Sequence, residues 1–150
     1  YQKVLEIELK TLGPGHPETA ATYHNIATIL EDDGEYEEAM ELYQKVLEIE
    51  LKTLGPGHPE TAATYHNIAT ILDKQGKEEE AMEQYKKVLK IELKTLGPDH
   101  SETAATYHSI GIALYNQGKY EKAMEQYQKA LEIKLKTLGP EDSSTAATYH

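Results

Sequence analysis

Apolar residues in this chain recur at three- and four-residue steps and never gather into long runs. Ala20, Tyr23, Ile26, Ala27 and Leu30 make one such stripe, and Tyr36, Ala39, Met40, Tyr43, Val46, Leu47 and Leu54 make the next. That spacing puts the apolar side chains on one face of an α-helix. Pro17 suits a first helical turn, where its missing N–H costs nothing, and Glu18 favours the positive end of the helix dipole. Asp33-Gly34 separates the stripes, with Gly supplying the left-handed conformation that helix C-termini often need. Gly55-Pro56 closes the second stripe. The pattern predicts helix A over 17–32 and helix B over 36–54.

The whole arrangement then repeats. Tyr1, Tyr43, Tyr85 and Tyr127 mark a period of 42 residues, and the first two periods are identical at 36 of 42 positions. Further A–B pairs are predicted at 59–74 with 78–96 and at 101–116 with 120–138. An orphan helix B at about 1–12 opens the chain, and a partial helix A at 143–150 closes it. Residues 1–150 thus read as a single array with helix pairs spanning 17–54, 59–96 and 101–138. In the third unit Ser101 replaces the proline, and in the last Asp142 and Ser143 do; their side-chain oxygens are expected to cap the helix start instead. Self-similarity at this spacing predicts an all-α solenoid, each unit burying its apolar face against its neighbours.

The repeated residues resemble the tetratricopeptide pattern of W-x2-L-G-x2-Y followed by A-x3-F. It is carried by Tyr23, Ile26, Ala27, Leu30, Ala39 and Tyr43, then by Tyr65, Ile68, Ala69, Leu72, Ala81 and Tyr85. The third copy, Tyr107, Ile110, Gly111, Leu114, Ala123 and Tyr127, restores the glycine. Tetratricopeptide units are 34 residues long, and the position of their closing proline falls on Leu51, Leu93 and Leu135. Helix B therefore runs on for about two more turns, or roughly 12 Å. With its L-G-x-x-H-P joint and its N-x-A in helix A, the unit is similar to the 42-residue repeats of kinesin light chains.

The resemblance implies a right-handed superhelix of antiparallel helix pairs, whose A helices line a concave groove that binds extended peptides or partner helices. On that frame the groove candidates are His24, Asn25 and Thr28 in the first unit, His66, Asn67 and Thr70 in the second, and His108, Ile112 and Tyr115 in the third. Glu31, Asp32, Asp73 and Lys74 fall on the same side. Asn25 and Asn67 match an asparagine that relatives use to hold a peptide backbone, and Ser109 breaks the series. Chaperone-binding relatives clamp a terminal carboxylate with groove lysines and arginines. Ala21, Ala63, Ala105 and the histidines stand there instead, so neither that clamp nor capture of acidic cargo is expected.

Charge and composition narrow the partners. The net charge is −11, and all 15 basic residues are lysines. Without the forked guanidinium, phosphate and base-edge recognition lose their main tool, so nucleic acid is not expected as a partner. Acidity also disfavours anionic lipid surfaces, and no apolar run approaches a membrane span. The absence of cysteine removes disulfides and thiolate chemistry and fits an intracellular, cytoplasmic protein. The chain starts at Tyr1 rather than Met and is expected to be a piece of something longer.

Candidate chemistry is sparse. His24, His66 and His108 lie a full repeat apart, too far to converge on one metal ion, so no metal or other cofactor is expected. They read as groove contacts that gain charge near pH 6 or as half-exposed packing residues. His16, His58 and His100 read as helix-start residues. Most of the 11 tyrosines fall on the seams of the repeat and read as core. No nucleophile elbow, phosphate loop or Ser/His/Asp set is present, so the chain is not expected to be an enzyme. Two functions are expected of it: a protein-binding scaffold, or a structural spacer that assembles head-to-tail through uncapped ends.

Overall fold

The computed structural model describes residues 2–13 and 15–137. Among them are seven α-helices and no strand. They are α1 (Gln2–Thr11), α2 (Pro17–Asp32), α3 (Tyr36–Thr53), α4 (Pro59–Lys74), α5 (Glu78–Thr95), α6 (Ser101–Asn116) and α7 (Tyr120–Thr137). All substantial packing joins consecutive helices, in the order α1 on α2 through α6 on α7. This is an all-α helical-repeat solenoid, in which each unit touches mainly its neighbours. The partial helix expected at 143–150 lies outside the described residues.

The helix start of the third unit has a different cap from the one expected. His16, His58 and His100 are the N-caps of α2, α4 and α6. Each accepts, through Nδ1, the backbone N–H two residues on, from Glu18, Glu60 and Glu102, at 3.1 Å. Ser101 is therefore not the cap of the third unit; it occupies the first helical position that proline fills in the other two. The imidazole does the work of a capping oxygen, satisfying one of the free N–H groups at the helix start.

The ends follow the glycines. Gly34, Gly76 and Gly118 take φ near +80°, at 83°, 78° and 77°, and Glu35 N–H then reaches back to the Leu30 carbonyl at 2.8 Å. The B helices α3 and α5 stop one residue earlier than their stripes suggest, because Leu54 and Leu96 already serve as C-caps before Gly55 and Gly97. Thr61 and Thr103 tie the next helix to that turn by donating to the Gly55 and Gly97 carbonyls, both at 3.0 Å.

The core runs lengthwise. Ala27, Ala39, Tyr43, Ile68, Ala69, Ile71, Ala81, Tyr85, Ile110 and Ala113 form one continuous buried cluster across three units. Small residues at the A–B crossing let the helices approach, and tyrosine rings fill the seam. The third unit is tightest at this point. A Cβ on Gly111 would come within 2.6 Å of Tyr127 Cε1, a space that Ala27 and Ala69 occupy in the earlier units.

Candidate functional site

The polar face of the A helices is organised around the B-helix tyrosines. Tyr43 of α3 reaches α2, where its hydroxyl lies 3.2 Å from Thr28 Oγ1 and donates to Glu31 Oε2 at 3.1 Å. Lys74 Nζ of α4 donates to the other Glu31 oxygen at 3.1 Å, which links two repeats across this face. In the second unit Tyr85 donates to Asp73 Oδ2 at 3.4 Å. Burial pushes the Tyr43 and Tyr85 hydroxyls up to about 12, so they remain donors throughout the physiological range.

The histidine ladder packs against these rings. His24 meets Tyr43 and His66 meets Tyr85 edge-on, with centroids 5.5 Å apart in both pairs, and His108 meets Tyr127 at 5.3 Å. Burial holds His66 and His108 below the ordinary histidine value, and Lys134 adds to the effect at His108. These two therefore charge at lower pH than a free imidazole.

Beside His66 the face opens into a cavity of about 230 Å³ between α4 and α6, with the end of α5 as its floor. Its walls are largely apolar, from Pro59, Ala62, Ala63, Val88, Leu96 and Ala105. Glu92 lies in the floor, and Thr106 donates to its Oε1 at 2.5 Å. The same pairing occurs one repeat earlier, where Thr64 donates to Glu50 Oε1 at 2.5 Å. Burial lifts both carboxyls above the usual range, against the opposing pull of the threonine hydroxyls; Glu60 and Glu102 lift them further.

The nine candidate residues do not form one cluster. His66 and Asn67 line the cavity. His24 packs on the Tyr43 ring, Thr28 lies at its hydroxyl, and Asn25 is exposed beside them. Thr70 donates to the His66 carbonyl at 3.0 Å. His108 stands against Tyr127, and Ile112 is exposed. Tyr115 turns to the end of the third unit, stacking edge-on with Tyr120 at 5.1 Å. Tyr23, Tyr65 and Tyr107 sit beneath Lys45, Lys87 and Lys129 at 5.4, 5.2 and 5.5 Å, held by packing and cation–π attraction.

Sequence reasoning passed over Glu50 and Glu92. Both lie four residues after a buried valine, Val46 and Val88, and so continue the buried stripe of helix B. A carboxylate on an otherwise apolar face was the signal. Among the described residues, no group of three or more His, Cys, Asp or Glu is placed to hold a metal ion, and no helix is long and apolar enough to cross a membrane.

A family model for the tetratricopeptide repeat matches residues 1–52, 23–94, 85–136 and 102–150. Two crystal structures of nearly identical TPR-like repeats of a kinesin light chain from Podosopora anserina, one of them a point variant, are similar in both sequence and structure. Each is 33% identical and covers 98% of this chain; the variant has a TM-score of 0.84 over 69% of its own length, the other 0.83 over 70%. BtubC from P. vanneervenii superposes with a TM-score of 0.77 at 22% identity, over 89% of this chain and 57% of its own, a likeness of fold alone. No match was found among the curated proteins.

Proposed function

The chain belongs to the tetratricopeptide repeat family, and from that premise we propose that it is a non-catalytic protein-interaction scaffold whose A-helix face receives an extended segment of a partner. Repeats of this family generally mediate protein–protein interaction. The finer reading is supported chiefly by one observation: the cavity between α4 and α6, lined by His66 and Asn67, opens on the face where the family pattern puts the groove. The exposed Ile112 and Tyr115 offer further apolar contact along the same helices.

Selection of a displayed random-peptide library on the chain tests this. Groove binding predicts selected peptides whose affinity drops about tenfold or more in His66→Ala and Tyr115→Ala, the loss expected when anchors at an interface are truncated. Failure to select any peptide, or peptides indifferent to both substitutions, overturns the groove reading.

A second reading has its own support. Val4 and Ile7 on α1 are exposed apolar residues on a helix whose repeat equivalents are buried. We infer that this face joins the end of a second copy, head-to-tail, so that the array continues between chains. Such a contact is heterologous and need not close into a ring.

A further inference from the structure

We propose that the cavity between α4 and α6 takes an alkylammonium group, the end of a lysine side chain from the partner. This rests on the groove reading and adds to it the chemistry of the residue that anchors there.

Size comes first. At about 230 Å³ the cavity falls below the roughly 300–1,000 Å³ of small-molecule sites, which matches one long side chain better than a cofactor. Its walls come next. Ala62, Ala63, Val88, Leu96 and Ala105 are apolar, which suits the four-carbon stem of lysine, a group that buries against apolar surface while its head seeks a polar partner.

Charge then fixes the sign of the head. Glu92 is only 7% exposed and lies in the cavity floor, with Glu102 also lining it and no lysine among the lining residues. Among the described residues, Thr106 alone bonds the Glu92 carboxylate, through Oε1, so its second oxygen has no hydrogen-bond partner. A buried carboxylate with one hydroxyl donor is poorly compensated, as the upward push of burial on its carboxyl reflects. One free oxygen suits the single-point contact of an ammonium rather than the two-pronged fork of a guanidinium, which needs both oxygens. An anion entering the cavity would meet two carboxylates and no lysine, and burial favours neutral His66.

The experiment uses n-butylammonium as the probe, with n-butanol and n-pentanoate as neutral and anionic matches of similar length. Backbone amide shifts of Ala63, Ala105 and Thr106 are followed by NMR as each is titrated into the chain. The expected result is a saturable shift with n-butylammonium alone. Glu92→Gln keeps an acceptor for Thr106 and should weaken binding about tenfold, the scale of one hydrogen bond to a charged group. Ala105→Leu, a change at an exposed position, should abolish the shift by filling the cavity.

Equal response to butanol or pentanoate, or a shift that survives Glu92→Gln, overturns the proposal. Library-selected peptides that need His66 but are not displaced by n-butylammonium would sink this inference and leave the groove reading intact. Saturable n-butylammonium binding without any selected peptide would leave the cavity's chemistry standing and remove the groove reading.

Discussion

Residues Gln2–Thr11 of α1 and Gln44–Thr53 of α3 are the same ten amino acids in the same order. The valine and the isoleucine in them have opposite fates. Val46 is 2% exposed and Ile49 6%, because both pack against Ala20 and Tyr23 of α2. Val4 is 48% exposed and Ile7 62%. Both helices are amphipathic to the same degree by sequence, and both form. What differs is the neighbour: α3 is flanked by α2 and α4, whereas the substantial packing of α1 among the described helices is on α2. In a solenoid, burial belongs to the interface between units rather than to either unit.

The largest effect expected from this comparison is on stability. Ile49→Ala should cost about 2–5 kcal/mol, the usual range for emptying a core position of that size. Ile7→Ala, the same substitution in the same local sequence, should stay within about 0.5 kcal/mol. Urea unfolding of the two variants beside the parent chain gives both numbers. Equal costs would mean that α1 has a partner on its open face in solution.

That possibility leads to the next prediction, of intermediate size. If a second copy covers Val4 and Ile7, sedimentation should show mass rising with concentration. Ile7→Lys should then weaken association by about tenfold to a hundredfold, the equivalent of re-exposing one large aliphatic side chain. Ile49→Ala should not act on association in this way. A chain that stays monomeric at high concentration removes the head-to-tail reading and leaves the peptide-binding one untouched.

Much of the fold was legible because repetition multiplies weak signals. A single stripe of alanines, tyrosines and isoleucines is ambiguous, but the same stripe at a fixed 42-residue step is not. Gly34, Gly76 and Gly118 marked helix ends correctly because a positive φ is a need that glycine meets at little cost. The cap of the third unit was misplaced for a specific reason. Pattern rules expect an oxygen at the N-cap, and they look for it at Ser101, one residue after the His100 that performs the role. The candidate site was less legible. Which neighbours surround His66 depends on how α4, α5 and α6 stack, and sequence spacing places a residue on a face without saying what stands opposite. Glu92 shows this best, since a glutamate on a lysine-rich helix looks solvated until the next unit closes over it.

The smallest effect separates the buried carboxylates from the rest of the acidic chain. Glu50 and Glu92 have folded-state values raised by burial above the unfolded carboxyl near 4.5, so the folded state holds its protons to higher pH than the unfolded one. Their ionisation therefore costs stability above the raised value, and that cost disappears as pH falls toward 4.5. His66 and His108 act in the opposite direction. Their values lie below 6.5, and stability is lost as pH drops from 6.5 through them. The parent chain alone would show the two trends overlaid, so the difference between parent and Glu92→Gln is the useful quantity. Glutamine is neutral at every pH and keeps an acceptor for Thr106. The variant should be the more stable chain at pH 8, and its advantage should shrink as urea midpoints are taken down toward pH 4.5. An advantage that does not change with pH would mean that Glu92 is as well solvated in the folded chain as in the unfolded one, in which case the interior of the array treats this carboxylate as an ordinary surface charge.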